Sequence, residues 1–166
     1  VPVTADTVFE IASVTKLFTA QSILVLAQEN KLHLEDEIGT YLKDLPESWK
    51  AVSIRQCLAH QSGIPSYTDV DQYWGVTKHD KSHNEILSLI NALPLKFAPG
   101  HRHAYDNSGY YLLGLLIEAI SGKRYDEYLR ITIFEPLNMK HTRANNYSQI
   151  VPHRAQGYQF KDSGLT

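Results

Sequence analysis

Between Ile11 and Gln28 the chain runs without a glycine or proline, and from Ile23 to Ala27 it is apolar at every position. A helix that is apolar around its whole circumference has to be covered on all sides. This segment is therefore expected as the central helix of a core, with layers on both of its faces. The rest of the chain supplies helices. Ile38 to Leu42 forms a short one, ended by Pro46. Ser53-x-x-Gln56 and Ser82-x-x-Glu85 are capping boxes, opening helices that run to about His60 and to Leu93. Asn107 can cap a helix over Ser108 to Ser121, with Gly122 at its left-handed end. Another spans Tyr125 to Ile133, stopped by Pro136, and residues 66–81 read as a long loop with one helical turn at Asp71 to Trp74. Ala155 to Lys161 is the one respectable strand candidate. Either these helices close a core by themselves, or the sheet on the far side of the central helix is not in this sequence.

The 166 residues are enough for one domain. Sixteen Lys and Arg against eighteen Asp and Glu give a net charge of −2, which points to neither nucleic acid nor anionic lipid. No apolar run approaches the roughly 20 residues of a membrane span. A single cysteine, Cys57, excludes an intrachain disulfide and a thiolate zinc cluster. The chain starts at Val1-Pro2 with no initiator methionine, basic segment or apolar leader, and is expected to be mature, trimmed or a fragment.

Four local patterns could carry chemistry. Ser13-Val14-Thr15-Lys16 places a hydroxyl and an amine three positions apart on a helix, where side chains are neighbours. A serine is a poor nucleophile until a base takes its proton, and a lysine does so only if burial or nearby cations make it neutral. Tyr105-Asp106-Asn107 supplies a phenol able to shuttle a proton and an amide able to donate and accept; read structurally, Asn107 caps the next helix. His60, before the turn Gln61-Ser62-Gly63, reads as a helix-end histidine bonding last-turn carbonyls. Ser62 lacks a Gly-x-Ser-x-Gly elbow. The pairs His79/His83 and His101/His103 lack further ligands for a closed zinc geometry, so no metal is expected.

In order along the chain, these residues resemble the serine β-lactamase and penicillin-binding-protein-like hydrolases, nearest to the class C β-lactamase-related group with its esterases and D-amino-acid peptidases. The resemblance rests on Thr7-Val8-Phe9-Glu10-Ile11-Ala12-Ser13-Val14-Thr15-Lys16, Leu58-Ala59-His60-Gln61-Ser62-Gly63-Ile64, Phe97-Ala98-Pro99-Gly100, Tyr105-Asp106-Asn107-Ser108-Gly109-Tyr110 and Ile133-Phe134-Glu135-Pro136-Leu137-Asn138-Met139. It implies an α/β fold of the β-lactamase/transpeptidase type, of which this chain holds the mostly helical part and lacks most of the central antiparallel sheet. Residues 1–37 would carry the Ser-x-x-Lys helix and its entry, 38–150 a helical subdomain, and 151–166 a return toward the sheet.

The resemblance also implies roles. Ser13 would be the acyl-accepting nucleophile, Lys16 its base or the holder of the proton network, Tyr105 a general base or the acid toward the leaving group, and Asn107 a ligand of Lys16 and of the substrate carbonyl. The family's third motif, Lys-Thr-Gly or His-x-Gly on a strand that supplies an oxyanion donor, does not occur after Tyr105. The implied reaction needs no cofactor. Its substrate would be a β-lactam, a D-amino-acid peptide or a small ester, in a periplasmic or extracellular setting. The competing reading is a non-catalytic scaffold or ligand-binding relative that kept the fold.

Overall fold

The computed structural model describes residues 2–74, 82–146, 149–157, 160–161 and 164–165. A 3₁₀ turn at Ala12–Val14 opens α1 (Thr15–Gln28). α2 (Glu47–Lys50), α3 (Ile54–Leu58), α4 (Asp71–Trp74) and α5 (His83–Ser88) are short. α6 (Ser108–Ser121) is the second long helix, and α7 (Tyr125–Leu129) follows it. α6 packs against α1 on one side and α3 on the other. Ile23 and Leu26 of α1, Ile54 and Cys57 of α3, and Leu112, Leu113, Leu116 and Ile117 of α6 form one fully buried cluster. Each such side chain contributes about 1.5–3 kcal/mol by leaving water.

The expectation that α1 is covered on every face does not hold for the described residues. Val14, Leu17 and Leu24 remain 53, 69 and 46% exposed. At spacings of three and seven they form a single apolar stripe along the helix, on the opposite side from the buried Ile23 and Leu26. Sheet is sparse: β1 (Phe160–Lys161) pairs antiparallel with β2 (Gly164–Leu165), and Val8 forms an isolated parallel bridge with Arg154. Of the strand expected over Ala155 to Lys161, residues 155–157 are not strand, although Ala155 donates its N–H to Val8; Phe160–Lys161 is β1, and residues 158–159 lie outside the described residues. The fold remains the mostly helical part of an α/β arrangement. Among the described residues, no helix is long and apolar enough to cross a membrane.

Helix starts follow local chemistry closely. Both capping boxes form: the Ser53 and Ser82 hydroxyls accept the N–H groups of Gln56 and Glu85, and the serine N–H groups donate to the Gln56 and Glu85 side chains in return. Helix ends differ more. α5 stops at Ser88 and continues to Leu93 only as turns. After Leu129 the backbone widens into a π-helical turn, Arg130–Phe134, which buries both Ile133 and Phe134 and sets Phe134 edge-on to Phe18 at 5.4 Å. Pro46 ends nothing: it stands at the N-cap of α2, whose Trp49 is fully buried. The helical turn at Asp71–Trp74 forms as expected, and residues 75–81 of that loop, with His79, lie outside the described residues.

α3 closes in a Schellman pattern. His60, at φ +56°, donates to the Cys57 carbonyl, and Gln61 donates to Gln56. The turn that follows is strapped to a distant segment: Lys96 donates to Gly63, Gly100 to Gln61 and Ala104 to His60, at 2.7–2.9 Å. Gly63 has φ +73°, and a Cβ there would stand 2.1 Å from the Phe97 carbonyl oxygen. Gly63→Ala should therefore cost at least about 2 kcal/mol of stability, seen as a lowered urea midpoint.

Candidate active site

The first turn of α1 and the entrance of α6 meet at one point. Ser13 is exposed in the 3₁₀ turn, and among the described residues its N–H has no carbonyl partner, as befits the open end of a helix. The residue before it, Ala12, holds φ +43°, a left-handed conformation that costs a non-glycine residue roughly 1–2 kcal/mol. Strain of this kind persists where surrounding contacts over-determine the geometry.

Tyr105 and Asn107 reach this turn from the segment entering α6. The Tyr105 hydroxyl lies 2.6 Å from Ser13 Oγ. Lys16 Nζ donates to Tyr105 Oη at 2.6 Å, to Asn107 Oδ1 at 2.7 Å and to Ser13 Oγ at 3.3 Å. An ammonium has three N–H donors, and three acceptors surround it. Nζ also stands 4.7 Å from the centroid of the Tyr105 ring and 5.5 Å from that of Tyr110. The bond from Lys16, with a smaller part from Ser13, holds the Tyr105 phenol below the usual tyrosine range, against a weaker opposing effect of burial.

Four side chains singled out in the sequence, Ser13, Lys16, Tyr105 and Asn107, thus come together, the second pair about ninety positions from the first. Asn107 corrects one expectation. It occupies the N-cap position of α6 but makes no side-chain cap. Its Oδ1 faces Lys16, and its Nδ2 donates to Thr68 Oγ1 at 2.9 Å. The cap falls to Asp106, whose Oδ1 accepts the Gly109 N–H at 2.5 Å.

His60 corrects another. Its ring bonds no last-turn carbonyl. Nδ1 instead accepts the Asp106 N–H at 3.3 Å, and the ring lies 4.6 Å from that of Tyr105. The Asp106 carboxylate stands 3.7 Å from Nδ1. Burial pushes the Asp106 carboxyl above its usual range, opposed first by the Gly109 N–H. Burial likewise lowers the His60 imidazole, opposed by Asp106.

Ser66 and Thr68 are parts of the site that the sequence did not mark. Ser66 Oγ accepts the Asn107 N–H at 3.1 Å, while Ser108 Oγ donates to Pro65 and accepts from Tyr67. No spacing rule ties residues 65–68 to 107–108; only the chain's return across α6 does. Beside Ser13, Lys16 and Asn107 opens a cleft of about 430 Å³ walled by Tyr110, Tyr111 and Leu115. A larger hollow, about 960 Å³, runs along residues 122–130 and 142–146. Its lining includes none of Ser13, Lys16, Tyr105 and Asn107. His83 bonds Tyr111 and faces Glu118, and His103 lies against His60. Among the described residues no three His, Cys, Asp or Glu side chains gather as metal ligands would.

Known proteins resemble this chain in sequence and in fold. The beta-lactamase family model matches residues 1–165. Protein flp of Staphylococcus aureus (strain N315) is 34% identical over 161 residues, covering 95% of this chain and 32% of that protein. The chain therefore spans about a third of the length of this curated relative. Among solved structures, the penicillin binding protein from Bacillus halodurans superposes with a TM-score of 0.89 at 32% identity, covering all of this chain and 51% of its own. D-amino acid amidase from Ochrobactrum anthropi SV3 gives 0.85 at 32% identity, covering 99% and 48%. On the match across nearly its whole length, the chain belongs to the beta-lactamase family.

Proposed function

We propose that the protein is a serine acyl hydrolase that works through a covalent acyl-enzyme. The observation that carries this reading is the Ser13–Tyr105–Lys16 triangle, with 2.6 Å between the serine and tyrosine hydroxyls. Ser13 Oγ attacks the carbonyl carbon of the substrate, and its proton passes to Tyr105 Oη. The oxygen of the tetrahedral adduct gains from the unpaired Ser13 N–H and the positive end of α1. As the adduct collapses, the leaving group takes the proton from Tyr105. Water then attacks the acyl-serine by the same proton route in reverse.

Of the two candidate bases, the geometry favours Tyr105. Three acceptors around Lys16 Nζ suit an ammonium, which is a donor and not a base. A fixed cation beside the phenol favours its phenolate form. Asn107, held by Thr68, would orient Lys16 and offer its amide to a substrate carbonyl or amide. Substrates fitting this chemistry are β-lactams, D-amino-acid peptides or amides, and small esters. The similarity to a D-amino acid amidase supports the second class.

The direct test is a penicillin or fluorophosphonate label followed by mass spectrometry of the intact protein. Attachment at Ser13 that disappears in Ser13→Ala is expected; an unlabelled wild-type protein would favour the non-catalytic scaffold. Tyr105→Phe should slow single-turnover acylation about 10²–10⁴-fold.

Lysine variants separate the two bases. If Lys16 acts as a cation, Lys16→Arg should retain clearly more acylation than Lys16→Ala. Equal, near-complete loss in both would return the role of base to a neutral lysine.

The pH profile carries a sign. A base must be deprotonated to act, so acylation should rise with pH through the Tyr105 pKa and level off below the ordinary tyrosine value of 10.0. In Lys16→Ala the rise should move to higher pH, because the hydrogen bond that lowers the phenol is gone.

A further inference from the structure

His60 is bonded to the residues on both sides of Tyr105. Its carbonyl accepts the Ala104 N–H at 2.9 Å, and its Nδ1 accepts the Asp106 N–H at 3.3 Å. Its ring lies against the phenol ring, centroids 4.6 Å apart and planes inclined by 36°. One residue therefore contacts the Tyr105 segment at three successive positions. It does so from the left-handed end position of α3, at φ +56°. That position ordinarily goes to glycine or asparagine. Asn30 and Asn138 close other helical segments in the same pattern, and Gly122 takes the left-handed position after α6. A turn alone has no need of an imidazole there. Backbone cost at an unusual residue is a reason to look for what its side chain does.

We propose that His60 is a positioning residue for Tyr105, a neutral imidazole that fixes the phenol over Ser13 by accepting the Asp106 N–H and backing the ring. The proposal rests on the reading of Tyr105 as the carrier of the Ser13 proton. Because Nδ1 accepts a hydrogen bond, the ring proton sits on Nε2. The titratable groups around the imidazole are the Asp106 carboxylate, the Lys16 ammonium, the His103 ring and the Tyr105 and Tyr110 phenols. Burial lowers the imidazole from its usual range, Asp106 opposes this, and Lys16 and His103 add to the lowering. Protonation at Nδ1 would set one donor against another, break the bond to the Asp106 N–H and turn the ring toward the Asp106 carboxylate. Acylation by the wild-type protein should therefore show a second proton-linked loss at its acid end, beyond the loss from protonating Tyr105.

Two substitutions in the intact protein separate the contributions. His60→Phe keeps a flat ring but removes the acceptor. His60→Asn keeps an acceptor and tolerates the left-handed backbone but removes the ring and the titration. Acylation of Ser13 by a chromogenic penicillin or ester is followed in single turnovers, with rates expressed per folded site by active-site titration. His60→Phe is expected to lose about 10²-fold in the acylation rate constant, the scale of an ångström's misplacement, with half-saturation changed less than about threefold. His60→Asn is expected to recover most of that loss and to lack the second acid-end ionisation. Rates per folded site within about twofold of wild type in both variants, or an unchanged acid limb in His60→Asn, would overturn the proposal. A spectrophotometric titration of the Tyr105 phenol, taken as the difference from Tyr105→Phe, reads the same contact without any substrate. In His60→Phe the phenol should titrate at higher pH than in the wild type, as it drifts from Lys16 and Ser13. No change there would refute the role of His60 even where Ser13 is acylated. A wild-type Ser13 that is never acylated would refute the hydrolase reading instead, and with it the catalytic purpose of the positioning.

Discussion

The arrangement depends on where one ammonium finds its acceptors. Lys16 extends from the first turns of α1 and is satisfied by a hydroxyl of its own helix and by two groups from the segment that enters α6. Hydrogen bonds from a charged donor are stronger than neutral ones, so this contact draws the two segments to a fixed separation. It can do so only because α1 and α6 already lie side by side, with Ile23 and Leu26 buried in the same cluster as Leu112 and Leu116. The apolar contact sets the approach of the helices, and the ammonium sets what meets at their ends.

The entrance of α6 is held from behind by groups that touch neither Ser13 nor Lys16. Ser66 and Thr68 take up Asn107, Asp106 caps the helix, and the turn after α3 straps the backbone from Lys96 to Ala104. Asp106 is buried, its carboxyl satisfied by the Gly109 N–H and by Ser62 Oγ. Two left-handed residues, Ala12 and His60, sit at the borders of this assembly. Loop residues that bear chemistry need such backing, because a misplacement of about an ångström is enough to cost a large part of a rate.

α1 serves two faces. One is committed to the helical core. The other, marked by Val14, Leu17 and Leu24, is exposed among the described residues. The curated relatives are about three times as long as the stretch they share with this chain. The uncovered stripe and the sparse strand content are two views of the same fact: the helical layer is described here, with only short stretches of sheet.

Much of this was legible in the sequence, because it is decided within a few residues. The capping boxes at Ser53 and Ser82, the left-handed glycine after α6, the run of α1 and the Ser-x-x-Lys neighbours on its first turns all follow from short-range geometry. The pairing of that motif with Tyr105 and Asn107 was legible only through resemblance, since nothing local links positions ninety apart. What only the tertiary structure decided is which of several local options each polar group takes. Asn107 could have capped α6, but the Lys16 ammonium outcompetes the backbone for its oxygen, and the neighbouring Asp106 takes the cap. His60 could have bonded the end of α3, but the backbone strapped above it brings the Asp106 N–H within reach of its ring. Local chemistry sets what each side chain is able to bond; the packing of α1, α3 and α6 sets which partner arrives, because only packing brings distant segments within hydrogen-bond range.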